Sequence, residues 1–214
     1  MPQTRIKPSF LDRTKNILLA SVNPQKESVF ARSLSDKYKN KVLKIGREIK
    51  LKIPILVEIP GKVGIDRLLN AIAAYERTKT STIVIDVGTA ITIDLVSKKG
   101  EFLGGLILPG IKMCARALNK QTALLPNVNI KKTAEIIGKN TEDAISAGIY
   151  NGTVGAILHI LKEIRKRHKD MKYSIITGGD TKILKKDVPL MGKHIPYLTL
   201  EGIRIAYTEE GFKT

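Results

Sequence analysis

Two short stretches carry the residue types that phosphate chemistry needs. In Asp86-Val-Gly-Thr-Ala-Ile-Thr-Ile-Asp94 a carboxylate closes an apolar run and a small-residue turn follows. Such a carboxylate can hold a cation, the small residues let backbone N–H groups approach a phosphate, and Thr89 and Thr92 add hydroxyl donors. An ordinary tight hairpin would use the same residues, so the setting of the turn between two strands has to decide. Gly64-Ile-Asp66-Arg67 opens a periodic segment. Asp66 is there either as a first-turn acid that suits the helix dipole or as a general base for a substrate hydroxyl. Arg67 can steady a phosphate or a carboxylate. Three further stretches, Leu103 to Ile111, Gln121 to Pro126 and Gly178-Gly179, complete the set. The glycines of the first and third let a ligand or another subunit come close to the backbone.

The elements that must hold these residues follow from apolar periodicity. Ile17 to Val22 suits a buried strand, and Phe30, Leu34 and Tyr38 recur at helical spacing within 25–38. Val42 to Ile45 and Ile55 to Ile59 are further strands. Ile65 to Arg77 reads as a helix with Leu68, Leu69, Ile72 and Tyr75 on one side. Three strands then make an antiparallel meander, 82–86, 91–96 and 101–108, and Pro109-Gly110 ends it before a helix from Ile111. Asn140-Thr-Glu-Asp143 caps a helix reaching about Lys169. Gly148, Gly152 and Gly155 fall on one face of it, which predicts that another backbone approaches there. A strand at 173–177, a short helix at 180–186, a strand at 195–198 and a helix at 201–206 close the chain. From residue 82 onward the order is β-β-β-α-α-β-α-β-α.

Composition bounds the function classes. The chain has 214 residues, 43% of them hydrophobic, enough for a core and against disorder. Its net charge of +17 favours anionic partners: nucleotides, nucleic acid, acidic proteins or a membrane surface. Basic clusters lie at 37–52 and 162–172, solvated faces in the bland reading and anion-binding surfaces in the functional one. Cys114 is the only cysteine, and His159, His168 and His194 lack ligand spacing, so zinc is not expected. Apolar runs such as Leu103 to Ile111 are too short to span a bilayer, no membrane association is expected, and the cytoplasm is the expected compartment.

Taken in order, the motifs resemble the type III pantothenate kinase family, also called the Bvg accessory factor family. The match runs from Asn16 to Ala206. It takes in Ser21 to Pro24, Gly-x-Asp-Arg with the following Asn70, and Asp-x-Gly-Thr-Ala-x-Thr-x-Asp. It continues through Gly-Gly-x-Ile-x-Pro-Gly, Thr-Ala-x-Leu-Pro, Gly138 to Thr141 and Thr177-Gly-Gly. The resemblance implies an α/β chain of ribonuclease H-like, actin-like ATPase fold with two related domains, here 1–79 and 80–214. It implies a homodimer that phosphorylates pantothenate from ATP, with Mg²⁺ and a monovalent cation, K⁺ or NH₄⁺. Carried over, Asp66 is the general base. Gly64, Arg67, Gly105 and Thr122 belong to the pantothenate site. Gly88, Thr89 and Thr92 take the phosphates, Gly178 and Gly179 the adenosine, and Asp86 the metal.

One departure shapes the functional expectation. Family members open on a strand ending in Asp-x-Gly-Asn-Thr, and this sequence reaches Ser21 without it. The first domain is therefore expected to miss its opening strands, and phosphoryl transfer, which depends on positioning and charge stabilisation, to be weak or absent. No tyrosine stands between Ile55 and Lys62, where the family often has one. The alternative is a non-catalytic regulatory or binding protein that meets nucleic acid or an acidic partner through its basic surface. In either case the shortened sheet leaves an edge for the N-terminal arm, a partner or a second copy to cover.

Overall fold

The computed structural model describes residues 12, 14–34, 38, 41–184 and 186–211. At its centre is a five-stranded sheet built from β3 (Thr82–Val87), β4 (Ala90–Val96), β5 (Phe102–Pro109), β6 (Tyr173–Thr177) and β7 (Lys193–His194), in the order β5-β4-β3-β6-β7. β5, β4 and β3 form the antiparallel meander, and β6 and β7 add in parallel on the other side of β3. A smaller parallel pair, β1 (Ile17–Leu19) with β2 (Val42–Lys44), stands apart. Helix α1 (Pro24–Ser33) joins that pair. Helix α2 (Ile65–Thr78) leads into β3, α3 (Ile111–Gln121) and α4 (Thr141–Arg167) lie between β5 and β6, the single-turn α5 (Val188–Met191) precedes β7, and α6 (Leu198–Glu209) ends the fold. The meander followed by parallel strands and intervening helices is the ribonuclease H-like arrangement that the resemblance implied.

β3 is the central strand because both of its faces are apolar. Ile83, Ile85 and Val87 pack with Ile91, Ile93, Tyr150, Ile157 and Leu161 under α3 and α4. Val84 packs on the opposite side with Ala71, Ile72, Phe102 and Leu198, under α2 and α6. A strand covered on both faces reads as a continuous hydrophobic run, as this one does. α2 buries Leu68 to Ala74 and stops at Lys79, whose left-handed backbone returns an N–H to the Tyr75 carbonyl. Gly202 lets α6 come against it: a Cβ there would run into the Leu69 backbone.

Several expected elements take other forms. Residues 55–59 make one bridge, Ile55 to Phe102, and then a 3₁₀ turn at Pro60–Lys62. Pro54 and Pro60 deprive this segment of ladder donors at both ends. Residues 180–184 are turns, the helix comes at 188–191, and the last strand is 193–194 rather than 195–198. The first helix ends at Ser33. Among the described residues nothing comes within 4 Å of a Cβ at Gly148, Gly152 or Gly155, so none of them makes the approach predicted on that face. By length and composition α4 could cross a membrane, which no apolar run in the sequence announced. Its Ile145, Tyr150, Ile157, Leu161 and Ile164 are buried in the core. The N-terminal arm and parts of the 37–52 basic cluster lie outside the described residues.

Candidate active site

One face of α2 meets the β3–β4 hairpin. Arg67 and Asn70, at i and i+3, stand over the same part of the sheet, and Asp66 lies exposed at the start of the helix, four residues before Asn70. On the hairpin, Asp86 is paired in register with Thr92, and Asp94 lies two residues beyond Thr92 on the same strand. Alternation puts Thr92 and Asp94 on the side of the sheet that α2 covers, opposite Ile91 and Ile93.

Two clamps cross this interface. The Arg67 guanidinium grips Asp94, its Nε donating to Oδ1 at 2.9 Å and to Oδ2 at 3.2 Å while Nη2 donates to Oδ1. The guanidinium carbon stands 5.4 Å from the centre of the Phe102 ring, a cation–π contact that fixes its plane. Burial pushes the Asp94 carboxyl up from its ordinary value. The Arg67 hydrogen bond and charge and a hydrogen bond with Thr92 pull it down again, and the Asp66 charge adds to the rise. The second clamp is the Asn70 amide, whose Nδ2 donates to Asp86 Oδ2 at 2.8 Å. Asp86 is likewise pushed up by burial, with Asn70 opposing and the Asp66 charge reinforcing. Asp66 itself is exposed, and its Oδ1 accepts from the Arg67 backbone N–H at 2.9 Å. Its charge is felt at buried Asp94 and half-buried Asp86, so the three acids form one electrostatic unit.

Glycines open the turn. A Cβ at Gly110 would run into the Gly88 and Thr89 carbonyls, so the start of α3 rests directly on the hairpin tip. Gly178, at φ +103°, lies where a Cβ would stand 2.5 Å from Asp86 Oδ1, while Gly179 faces open space. Asp180 donates its N–H to the Val87 carbonyl at 2.9 Å and pairs its carboxylate with Lys112. Gly105 is paired with Asp94, and a Cβ there would occupy the place of the Asp94 carboxylate. Gly64 likewise leaves room for the Asp66 carboxylate. A cleft of about 390 Å³, lined by Lys112, Lys131, Lys132, Lys182 and Ile130, lies beside the start of α3.

The structure thus brings together Gly64, Asp66, Arg67, Asp86, Gly88, Thr92, Gly105 and Gly178. Thr89 is exposed at the hairpin tip. Thr122 is not part of this cluster. It caps the far end of α3, donating to the Leu118 carbonyl at 2.7 Å, one helix length from the turn on which α3 rests. Sequence reading gave no role to Asn70 or to Thr199 behind it, and did not foresee that Arg67 pairs with Asp94. Asn70 could have been found by its i+4 spacing from Asp66 on a face otherwise apolar. Thr199 carries no such signal.

Among the described residues no group of three or more His, Cys, Asp and Glu could hold a metal ion. Asp86 offers one carboxylate beside a turn open to phosphate. That donor set fits Mg²⁺ carried by a nucleotide, since Mg²⁺ is usually held by one or two carboxylates plus substrate phosphates.

Comparison with known proteins places this geometry in context. The profile described as type III pantothenate kinase matches residues 2–163. A type III pantothenate kinase from Geobacter sulfurreducens is 38% identical over 197 residues, covering 92% of this chain and 77% of that protein. One from Sulfurihydrogenibium sp. is 38% identical over 195 residues, with 90% and 77% covered. Among solved structures, a protein described as a conserved Baf family transcriptional activator from Campylobacter jejuni superposes with a TM-score of 0.61 at 24% identity. The superposition covers 95% of this chain and 87% of that one and shows a shared fold.

Proposed function

Because the chain belongs to the type III pantothenate kinase family, we propose that it binds pantothenate and ATP across the Asp66–Arg67–Asp86–Thr92 cluster, and that residues 1–214 alone transfer phosphate weakly or not at all. The observation that carries the reading is the placement of Arg67 and Asn70 on one face of α2 against Asp94 and Asp86, with Asp66 at the start of that helix, beside a turn opened by Gly88 and Gly178.

In this reading Asp66, exposed at the start of α2, accepts the proton of the pantothenate hydroxyl. The hydroxyl oxygen forms a bond to the γ-phosphorus of ATP, and the bond from that phosphorus to the β-bridging oxygen breaks, releasing ADP. Arg67, held by Asp94, keeps Nη1 for an anionic group of the substrate. Asp86 would hold Mg²⁺, which supplies charge neutralisation at the transferred phosphate when bound. Thr89, Thr92 and the Gly88 backbone line the phosphate side, and Gly178-Gly179 leads the nucleoside toward the lysine-lined cleft. A monovalent cation, K⁺ or NH₄⁺, completes the assay conditions. Thr122 reaches such a site only from a second copy, so a homodimer is part of the proposal.

Phosphoryl transfer rests on positioning and electrostatics, and one of two phosphate clamps gives only part of each. Residues 1–214 contain no Asp-x-Gly-Asn-Thr. Pantothenate-dependent ADP release with Mg²⁺ and K⁺ or NH₄⁺, for wild type beside Asp66→Asn, tests the reading. Binding of both ligands by calorimetry with little turnover above the variant is the expected result. Robust turnover lost in Asp66→Asn would overturn the weak-transfer part, and absence of binding would overturn the site. The charge of +17 and the exposed Lys162, Arg165, Lys166 and Arg167 at the end of α4 favour a second reading, a protein that contacts nucleic acid or an acidic partner. Affinity for an oligonucleotide should then fall steeply with salt, and a salt-independent affinity would exclude it.

A further inference from the structure

Asp86 has two carboxylate oxygens, and the structure distinguishes them. Oδ2 accepts the Asn70 Nδ2 hydrogen bond at 2.8 Å. Oδ1 lies toward the two glycines of the turn, where a Cβ at Gly178 would be 2.5 Å away and one at Gly88 3.5 Å away. The oxygen that Asn70 leaves unengaged is therefore Oδ1. What fixes this choice lies behind it. Asn70 is only 2% exposed, and its Oδ1 accepts from the Thr199 hydroxyl at 2.7 Å. Thr199 sits in the first turn of α6, the helix held against α2 by the Gly202–Leu69 approach.

We infer that Thr199 and Asn70 are positioning residues that hold Asp86 with one oxygen turned toward the phosphate side of the turn. The inference rests on the proposed nucleotide site for its purpose and on the hydrogen bonds for its mechanism. An amide has one donating and one accepting end, and an ionised carboxylate only accepts. Nδ2 must then face Asp86, and the carbonyl end must find a donor. Among the described residues Thr199 is its hydroxyl donor. Without that donor the amide has a buried, unsatisfied oxygen and no reason to keep its orientation. A flip would set oxygen against oxygen at Asp86 and turn the carboxylate. Neither residue needs to touch a ligand: Thr199 acts through Asn70, and Asn70 through Asp86. Partners of this kind cost about 10–100-fold in metal affinity when removed.

Thr199→Val removes the hydroxyl with little change of shape, and Thr199→Ser keeps it. Two readouts are needed. Side-chain amide NMR of ¹⁵N-labelled protein, without ligand, reports the clamp. The Asn70 NH₂ protons are expected to be protected from exchange in wild type and Thr199→Ser and to lose protection in Thr199→Val. Calorimetry with a non-hydrolysable ATP analogue, with and without Mg²⁺, reports the purpose. Thr199→Val should bind the Mg²⁺ complex about tenfold more weakly, with pantothenate affinity unchanged and Thr199→Ser restoring the wild-type value. Retained Asn70 protection in Thr199→Val, or Mg²⁺-complex affinity within about twofold of wild type, overturns the inference. If the wild type fails to bind the analogue, the nucleotide site proposed above is wrong, and loss or retention of Asn70 protection still decides the clamp.

Discussion

Asp94→Asn isolates the charge in the Arg67–Asp94 pair. Asp94 is 1% exposed and the Arg67 side chain 15%, so neither charge can be rehydrated where it stands. Asparagine keeps the size and leaves an oxygen for Arg67 Nε and Nη2, both of which donate to Asp94 Oδ1 in the wild type. The variant therefore loses chiefly the negative charge, and the guanidinium is left buried without its counter-ion. Removing one partner of a buried pair costs about 3–5 kcal/mol, and the retained hydrogen bonds place this case near 3. At about 2–4 °C per kcal/mol for a chain of this size, the melting temperature should fall by about 6–12 °C. Urea titration with an unchanged m-value is the assay, run as a double-mutant cycle with Arg67→Met. Adding Arg67→Met to Asp94→Asn should cost little more, because the guanidinium is then a liability. Arg67→Met alone leaves a buried carboxylate whose folded pKa is raised. Its stability relative to wild type should be greatest below the unfolded value near 4 and be lost as pH rises through the folded value. A cost below about 1 kcal/mol for Asp94→Asn, or a cycle with no coupling, would refute the reasoning.

Three further outcomes are expected. Gly178→Ala forces a side chain into φ +103° and against Asp86 and Val87, and should cost about 2 kcal/mol or more. Gly179→Ala, with open space around it, should stay within about 0.5 kcal/mol in the same melts. Gly152→Ala and Gly155→Ala on α4 should each stabilise the monomer by about 0.5–1 kcal/mol, since none of the described residues meets the added methyl. Destabilisation that grows with protein concentration would instead reveal a second copy on that face. Tyr150→Phe removes the hydroxyl that donates to Asp187, which keeps its hydrogen bonds from Lys132, and should cost about 1 kcal/mol at neutral pH. The Tyr150 hydrogen bond holds the Asp187 carboxyl below its ordinary value. The stability it confers is therefore present above the unfolded pKa near 4 and lost as pH falls, and the variant should show a weaker acid dependence.

The site was legible where chemistry and local pattern coincide. Asp86 ends a strand that is apolar on both faces, and the small residues after it mark the turn, so the hairpin could be read directly. Asp66 and Arg67 open a helix whose apolar side is plain. What could not be read depends on pairing between distant segments. Asp94 looked like the end of a motif, and its Arg67 partner lies 27 positions away across a helix–strand contact. Asn70 and Thr199 are 129 positions apart. Residues 55–59 have the composition of a strand, yet flanking prolines and a single neighbour at Phe102 leave them one bridge. The three glycines of α4 reported an open face and not a contact, since a missing side chain looks the same in either case.

The pairing of β3 with β6 has a consequence for how this protein is made. Thr82 lies beside Tyr173 and Asp86 beside Thr177, so the middle of the sheet closes across 91 positions (173 − 82). On a ribosome, the meander, α3 and α4 are all synthesised before β6 exists. Throughout that interval one side of β3 is an unpaired edge rich in isoleucine and valine, a template for pairing with other nascent chains. Contacts of such range also slow the final step of folding. Gly178, which shapes the turn at Asp86, arrives with the same strand. The turn at Asp86 therefore acquires its form only at the end of folding, and any pause in translation between residues 110 and 173 should send the chain to chaperones or into aggregates before that turn exists.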